Sequence, residues 1–297
     1  MNRTISSSRP HDLSFELFLS TREEKACSPL TLRNYRTAIS LFLQHPAIPE
    51  NLAELCPDHV LLWSGDMRKK GSSPANRAWH QRHVFAFLRW LYQRGDIERD
   101  PLRGISLVQV PQVPQHQMSP SDMAKIETSL RDVKRVSDVK ARDLAIVLML
   151  WATGLRRSEL VSLDLADVDL TQMTAVVMGK GQKQRRVPFD GATKRALLEY
   201  LIRERGREDG PLFLSRSKQR LTGDALRLML ARLSRDTKVP VGAHAFRRGF
   251  ARRMRGLGLD LGETAALMGH STLVMTRQYS QVGEHEAALD AYRKLVG

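Results

Sequence analysis

Residues 143–163 read DLAIVLMLWATGLRRSELVSL. The run LAIVLMLWA, 144–152, is too short to cross a bilayer, which takes about 20 residues. It predicts a buried helix. Gly154 then breaks that helix, and the chain restarts through Ser158, Glu159 and Leu160. Arg156 and Arg157 therefore sit at a change of chain direction, where side chains are expected to be exposed. The stretch places the chain in a mainly α class with a fully apolar central helix, and it raises the question of what the two cations are for.

Downstream, MTAVVMGKGQKQRRVPF (173–189) carries the one good hairpin signal, with Ala175–Met178 and Arg186–Phe189 flanking a Gly-Lys-Gly turn. The stretch VGAHAFRRGFARRMRGLG (241–258) predicts a helix with a glycine stop, and sets His244 and Arg247 one turn apart on a shared face. Upstream, VQVPQVPQHQMSP (108–120) holds three prolines and four glutamines, the composition of an extended, partly stiff connector. It divides the chain into a helical domain over 1–107 and a larger, mostly helical domain with a small β-hairpin sheet over 121–297.

In the first domain, Ser28-Pro29 and Ser73-Pro74 are N-cap and first-turn signals, and Gly95 is a stop. Leu32, Tyr35, Ile39, Phe42 and Leu43 fall on one helical face. Trp79 or His80, with Val84, Phe87, Leu88 and Leu91, makes a second core stripe. Off these stripes lie Arg77, Arg82, Arg89 and Arg94, and MRKKG (67–71) adds Arg68, Lys69 and Lys70. These cations have no evident matching carboxylates, so a surface that tracks phosphates is expected. Arg33, Arg36, Asn76 and, from the hairpin and the 241–258 helix, Lys183 and Arg248 complete the candidate DNA contacts.

The whole chain of 297 residues carries 47 Lys and Arg against 32 Asp and Glu, a net charge of +15. That balance favours a polyanionic partner, with nucleic acid foremost. Cys27 and Cys56 make neither a zinc site nor a disulfide framework, and residues 1–12 have no apolar core, so a cytoplasmic protein without a membrane span is expected.

Familiar reaction motifs fail. GKGQKQ (179–184) lacks the spacing and Ser/Thr of a phosphate loop, and DLADVDL (164–170) lacks the glycine and glutamate of a calcium loop. That segment reads instead as a polar turn leading into a strand. With no convincing carboxylate cluster, metal-free phosphodiester chemistry fits best. It needs a nucleophile, fixed cations on the non-bridging oxygens and a proton donor for the leaving oxygen. Arginine suits the clamp because its planar fork holds two oxygens and stays charged.

Four segments, in order, resemble those of the tyrosine site-specific recombinases, most of all the compact Xer-type members. They are ATGLRRSELVSL, GKGQKQRRVPF, HAFRRGFA and LMGHSTLVMTRQY (267–279). The resemblance is strong over 140–282 and weaker over SSPANRAWHQRHVFAFLRWLYQRGDIERDP (72–101). It implies a helical core-binding domain and an α-rich catalytic domain that cleave and rejoin DNA through a 3′-phosphotyrosine, with no metal or cofactor. Carried over, Tyr279 is the nucleophile, and Arg156 and Arg247 with His270 hold the phosphate. Lys180 protonates the leaving oxygen, His244 assists proton transfer, and Glu159 supports the site. Arg157, Lys183 and Arg248 are near neighbours of these residues, set aside by motif register, and Tyr292 is a rival nucleophile in an apolar-faced helix suited to docking. The resemblance further implies duplex DNA with inverted-repeat sites. It also implies a tetramer, of one chain or shared with a second recombinase, built through 287–295. A catalytically silent DNA-binding protein of this fold and a DNA-relaxing topoisomerase remain alternatives.

Overall fold

The structure, a computed structural model, describes residues 10–111, 114–132, 140–179 and 184–269. The chain forms two compact units, Met1–Val113 and Pro114–Gly297.

The first unit holds α1 (Pro10–Glu24), α2 (Pro29–Leu43), α3 (Pro57–Lys69) and α4 (Pro74–Arg94). Both Ser-Pro pairs start helices. The Ser28 hydroxyl accepts the Thr31 N–H at 3.2 Å, and that of Ser73 the Asn76 N–H at 3.2 Å. Each satisfies one of the amides a helix start leaves unpaired. Gly95 closes α4 in the left-handed conformation. Ile39, Phe42 and Leu43 of α2 are buried, as are Val84, Phe87, Leu88 and Leu91 of α4, while Leu32 and Tyr35 are half-buried. Phe18 of α1 meets Tyr35 and Phe87 edge-on, with ring centroids 5.1 and 5.3 Å away, and so ties three helices into one core.

The second unit is built round α6 (Lys140–Thr153), which follows α5 (Pro120–Arg131). Residues 141–150 are buried without a break, so this helix has no solvent face and its sequence shows no amphipathic alternation. Its polar beginning is satisfied locally: the Glu204 carboxylate accepts the N–H groups of Ala141 and Arg142 at 2.8 and 3.1 Å. After α7 (Arg157–Ser162) come β1 (Val168–Asp169), β2 (Thr174–Met178) and β3 (Gln184–Pro188). Then follow α8 (Gly191–Tyr200), α9 (Gly223–Thr237), α10 (Ala243–Gly256) and α11 (Leu261–Met268).

The expected hairpin pair forms in the register Ala175↔Val187 and Val177↔Arg185, with β3 starting two residues earlier than the pattern indicated. A third strand is added, for β1 pairs with β2 in the antiparallel order β1-β2-β3. Its two residues are too few for a period of two to show in sequence. The turn before it is held by the Asp167 carboxylate, which accepts the Asp164 N–H at 2.8 Å.

Met118 is buried in the second unit's core, and its N–H donates to the Ala245 carbonyl at 3.1 Å, so the end of the 108–120 segment is packed against α10. Among the described residues no helix is long and apolar enough to cross a membrane.

Candidate active site

Gly154 ends α6 with φ +62°, and a Cβ there would lie 2.8 Å from the Phe250 ring. Two constraints thus demand glycine at this break: the backbone conformation and the close approach of α10. Leu155 is buried, and Arg156 then serves as the residue preceding α7. Three positions on, Glu159 reaches back to accept the Arg156 N–H at 2.8 Å and its Nη1 at 2.7 Å. The box that starts the helix therefore also fixes the arginine side chain.

Glu159 has a second partner from the sheet. Arg185 of β3 places Nη1 and Nη2 on the two oxygens of the Glu159 carboxylate, each at 3.0 Å, while its Nε donates to the Leu267 carbonyl at 3.1 Å. The next two carbonyls along the chain are used in the same way. Met268 accepts from Nη2 of Arg247 at 2.5 Å, and Gly269 accepts from Nη2 of Arg156 at 3.1 Å. Nη1 of Arg247 donates to the Gly154 carbonyl at 2.7 Å.

Three arginines from β3, α10 and the α6–α7 junction thus converge on three successive carbonyls at the end of α11. A helix C-terminus offers unpaired carbonyls and the negative end of its dipole, and both suit guanidinium groups. Gly269 itself is left-handed, at φ +64°, and a Cβ on it would lie 2.7 Å from Nη1 of Arg185.

Burial by itself would raise the pKa of Glu159. The hydrogen bonds from Arg185, then those from the backbone and side chain of Arg156, outweigh it and hold the carboxyl below its ordinary value. The acid is therefore a fixed anion among fixed cations. His244, at the start of α10, keeps an exposed face. The protein packed round its ring, then the charges of Arg248, Arg247, Arg157 and Arg156, lower its pKa, so it stays neutral further into acid than a free histidine. It borders an open groove of about 720 Å³ lined also by His116, Arg157, Arg227 and Arg248.

Of the residues expected to act together, Arg156, Glu159 and Arg247 are brought together. Arg247 is only 1% exposed, and the Gly154 and Met268 carbonyls take its guanidinium. Of the neighbours set aside, Arg157 is exposed and lies against Gly223, whereas Arg248 donates its Nε to the His116 carbonyl at 2.9 Å. Lys180, Lys183, His270, Tyr279, Tyr292 and the 287–295 segment lie outside the described residues.

In the first unit, Arg33, Arg36, Lys69, Lys70, Asn76 and Arg82 are exposed and Arg77 is half-buried. The expectation of unmatched cations needs correction. Lys70 pairs with Asp66 at 2.8 Å, Arg36 with Glu16 at 2.9 Å and Arg94 with Asp96 at 3.1 Å. Glu16 lies on another helix, 20 residues before Arg36, which hides that pairing in sequence, whereas Asp66 is one turn before Lys70. Lys70 first, then His45, holds the Asp66 carboxyl below its ordinary value.

Arg185 is the site residue the sequence reading missed. A signal existed: along β3 it alternates onto the same face as the buried Val187, an unusual place for a cation unless it has a partner.

Residues 118–286 match the model of the phage integrase family. The chain belongs to that family. It is 32% identical to a tyrosine recombinase XerC of Myxococcus xanthus, with 88% of this chain and 89% of the relative covered. It is 30% identical to the XerC of Bacillus pumilus, with 88% of each covered. Among solved structures, the Tn1549 transposon integrase in complex with transposon right end DNA has the same fold. Its TM-score is 0.73 at 19% identity, over 90% of this chain and 94% of that one. XerH bound to its palindromic difH substrate gives a TM-score of 0.70 at 19% identity, over 96% and 90%. The chain is a tyrosine recombinase, an enzyme that cleaves and rejoins DNA.

Proposed function

We propose that this recombinase exchanges strands between paired duplex sites through a 3′-phosphotyrosine. Tyr279 attacks the scissile phosphorus. Its Oη–P bond forms as the P–O5′ bond breaks, its proton passes toward His244, and Lys180 protonates the departing O5′. Arg156, Arg247 and His270 hold the non-bridging oxygens. The bond energy of the phosphodiester is kept in the phosphotyrosine, so rejoining needs no nucleotide cofactor.

One observation carries the reading. The guanidinium groups of Arg156 and Arg247 dock on adjacent carbonyls, those of Gly269 and Met268, directly before His270 in the chain. Cations so fixed need no reorganisation as charge builds on a transferring phosphate, which is where catalytic stabilisation is largest. The neutral His244 beside them suits proton acceptance near neutral pH.

Relatives in complex with DNA support duplex DNA as partner. The exposed cations of the first unit, Arg33, Arg36, Lys69, Lys70 and Arg82, with Asn76 and Arg77, would follow the phosphates, and Lys183 and Arg248 would do so beside the site. Inverted-repeat sites, and a tetramer joined through 287–295 with identical chains or a second recombinase, belong to the same proposal, as does a cytoplasmic location. The core domain is taken as 1–107 and the catalytic domain as 121–297.

The test is covalent trapping. Wild type and Tyr279→Phe are incubated with nicked genomic fragments in EDTA, denatured, and the DNA left on protein is sequenced. Wild-type adducts with a 3′ linkage at a recurrent site, absent from Tyr279→Phe, are expected. DNA binding without any adduct would favour a silent DNA-binding protein instead. Relaxation of a plasmid that lacks the recurrent site would favour a topoisomerase.

A further inference from the structure

The reaction scheme above leaves Arg185 unused, yet it makes two charge-assisted hydrogen bonds to the buried Glu159. Its two Nη atoms span both oxygens of Glu159 and its Nε holds the Leu267 carbonyl, while its side chain is only 13% exposed. The same two oxygens also accept the backbone N–H and the Nη1 of Arg156. Glu159 is thus an anion shared between a phosphate-clamp arginine and β3. The room for this is specific, because the absence of a side chain at Gly269 lets the Arg185 guanidinium reach the end of α11.

We infer that Arg185 is a positioning residue of the cleavage step, acting through Glu159 to orient Arg156 and through Leu267 to set the end of α11 against the hairpin strand. The inference rests on the recombinase reading. Arg185 touches no reacting atom in it.

A bidentate arginine-carboxylate pair is directional as well as attractive, since it fixes the plane of the carboxylate. Without Arg185, Glu159 is free to turn, and the Nη1 of Arg156 turns with it. A misplacement of about 1 Å in a clamp costs roughly 100-fold in rate. Lysine at this position would keep the charge but could not span two oxygens and a carbonyl at once. Arg185 is also the partner that does most to keep Glu159 ionised, so its removal raises that carboxyl's pKa.

The test uses the full chain with nicked genomic DNA in EDTA, comparing wild type, Arg185→Ala, Arg185→Lys and Tyr279→Phe. Single-turnover adduct formation, retention of the same DNA on a filter, and melting temperature are measured across acid to neutral pH. For Arg185→Lys we expect melting close to wild type and DNA retention within about twofold. Adduct formation should fall about 30- to 100-fold, and the acid limb set by Glu159, distinct from that of His244, should move to higher pH. Adding Glu159→Gln to Arg185→Lys should abolish that movement of the limb.

Adduct formation within about twofold of wild type in both Arg185 variants would overturn the inference. So would a loss of adduct matched by equal losses of retention and melting temperature in both, which marks a merely structural arginine. If wild type itself traps no more DNA than Tyr279→Phe, the recombinase reading falls and takes this inference with it.

Discussion

The two units carry their arginines in opposite ways. In the second, Arg156, Arg185 and Arg247 are each held by two or more hydrogen bonds to a buried carboxylate or to helix-end carbonyls. In the first, Arg33 and Arg82 stand exposed, and in the pair between Arg36 and Glu16 both partners are more than half exposed. Exposed pairs are worth about 0–1 kcal/mol and exchange readily with solvent and ions. The difference separates two uses of one side chain. A cation that stabilises a transition state must already be in place, whereas one that follows a backbone gains by being free to move.

The sharpest way to break this contrast is to remove the anion at its centre. Glu159→Ala leaves Arg156 and Arg185 facing each other across an emptied site. Breaking a buried pair by deleting one partner costs about 3–5 kcal/mol, and the open side of Arg156 argues for the lower end. Adduct formation should fall by about 100-fold or more as the clamp loses its geometry, and chemical denaturation should report the loss of stability. A variant that keeps wild-type stability and wild-type rate would show that the carboxylate organises nothing. Glu159 also fixes a pH dependence. Its folded pKa is depressed, so its contribution is present above the unfolded value, near 4.5, and is lost as pH falls through the folded value. Acid titration of stability should be less steep in Glu159→Gln than in wild type.

Next in size is Gly269→Ala. A left-handed φ of +64° strains an alanine by about 1 kcal/mol, and its Cβ would collide with the Arg185 guanidinium. A loss of about 1–2 kcal/mol by thermal melting is expected, with adduct formation reduced about tenfold by the displaced arginine. Equal melting of the two proteins would mean that the end of α11 relaxes freely and is no anchor.

Much of this was open to sequence reading, and the parts that were not share a cause. The Ser-Pro helix starts, the break at Gly154 and the hairpin are local signals, settled by residues within a turn of one another. Glu159 and Arg156 were within reach for the same reason, since a helix-starting box spans three residues. For Arg185 only the strand face was legible, because its partners Glu159 and Leu267 lie far away in the chain and only the fold joins them. The partners of Arg247 were missed likewise, because the carbonyls that take its guanidinium come from Gly154 and Met268, far away in the chain. The pairing of Lys70 with Asp66 is the exception. It is one helical turn long and could have been read from sequence.

A smaller effect sharpens the comparison through pH. His244 lies between the two regimes, exposed like the cations of the first unit but surrounded by fixed charge. Burial, then Arg248 and three further arginines, depresses its pKa, so the acid limb of cleavage should lie below the pKa of 6.5 of a free imidazole. Arg248→Ala removes the largest of those charges and should move the limb upward, read as the fraction of bound DNA that is converted to adduct. A limb that stays in place would assign it to another group.

The smallest effects belong to the first unit, and there the comparison can be tested residue by residue. Arg82 is exposed with no acidic partner described, whereas Lys70 already holds Asp66. A cation that neutralises a phosphate releases counterions, so its loss lowers the steepness of log affinity against log salt by about 1. Arg82→Ala should show that full decrement and weaken binding to all DNA sequences alike. Lys70→Ala should show less, because in the free protein part of its charge is spent on Asp66, and removal of the lysine also releases that carboxylate toward the DNA. Asp66→Asn should then act in the opposite sense, steepening the salt dependence as Lys70 becomes available. None of the three substitutions should alter the fraction of bound DNA that is converted to adduct. If Arg82→Ala did alter it, the mobile cations would share in the chemistry, and the division between held and free arginines would fail.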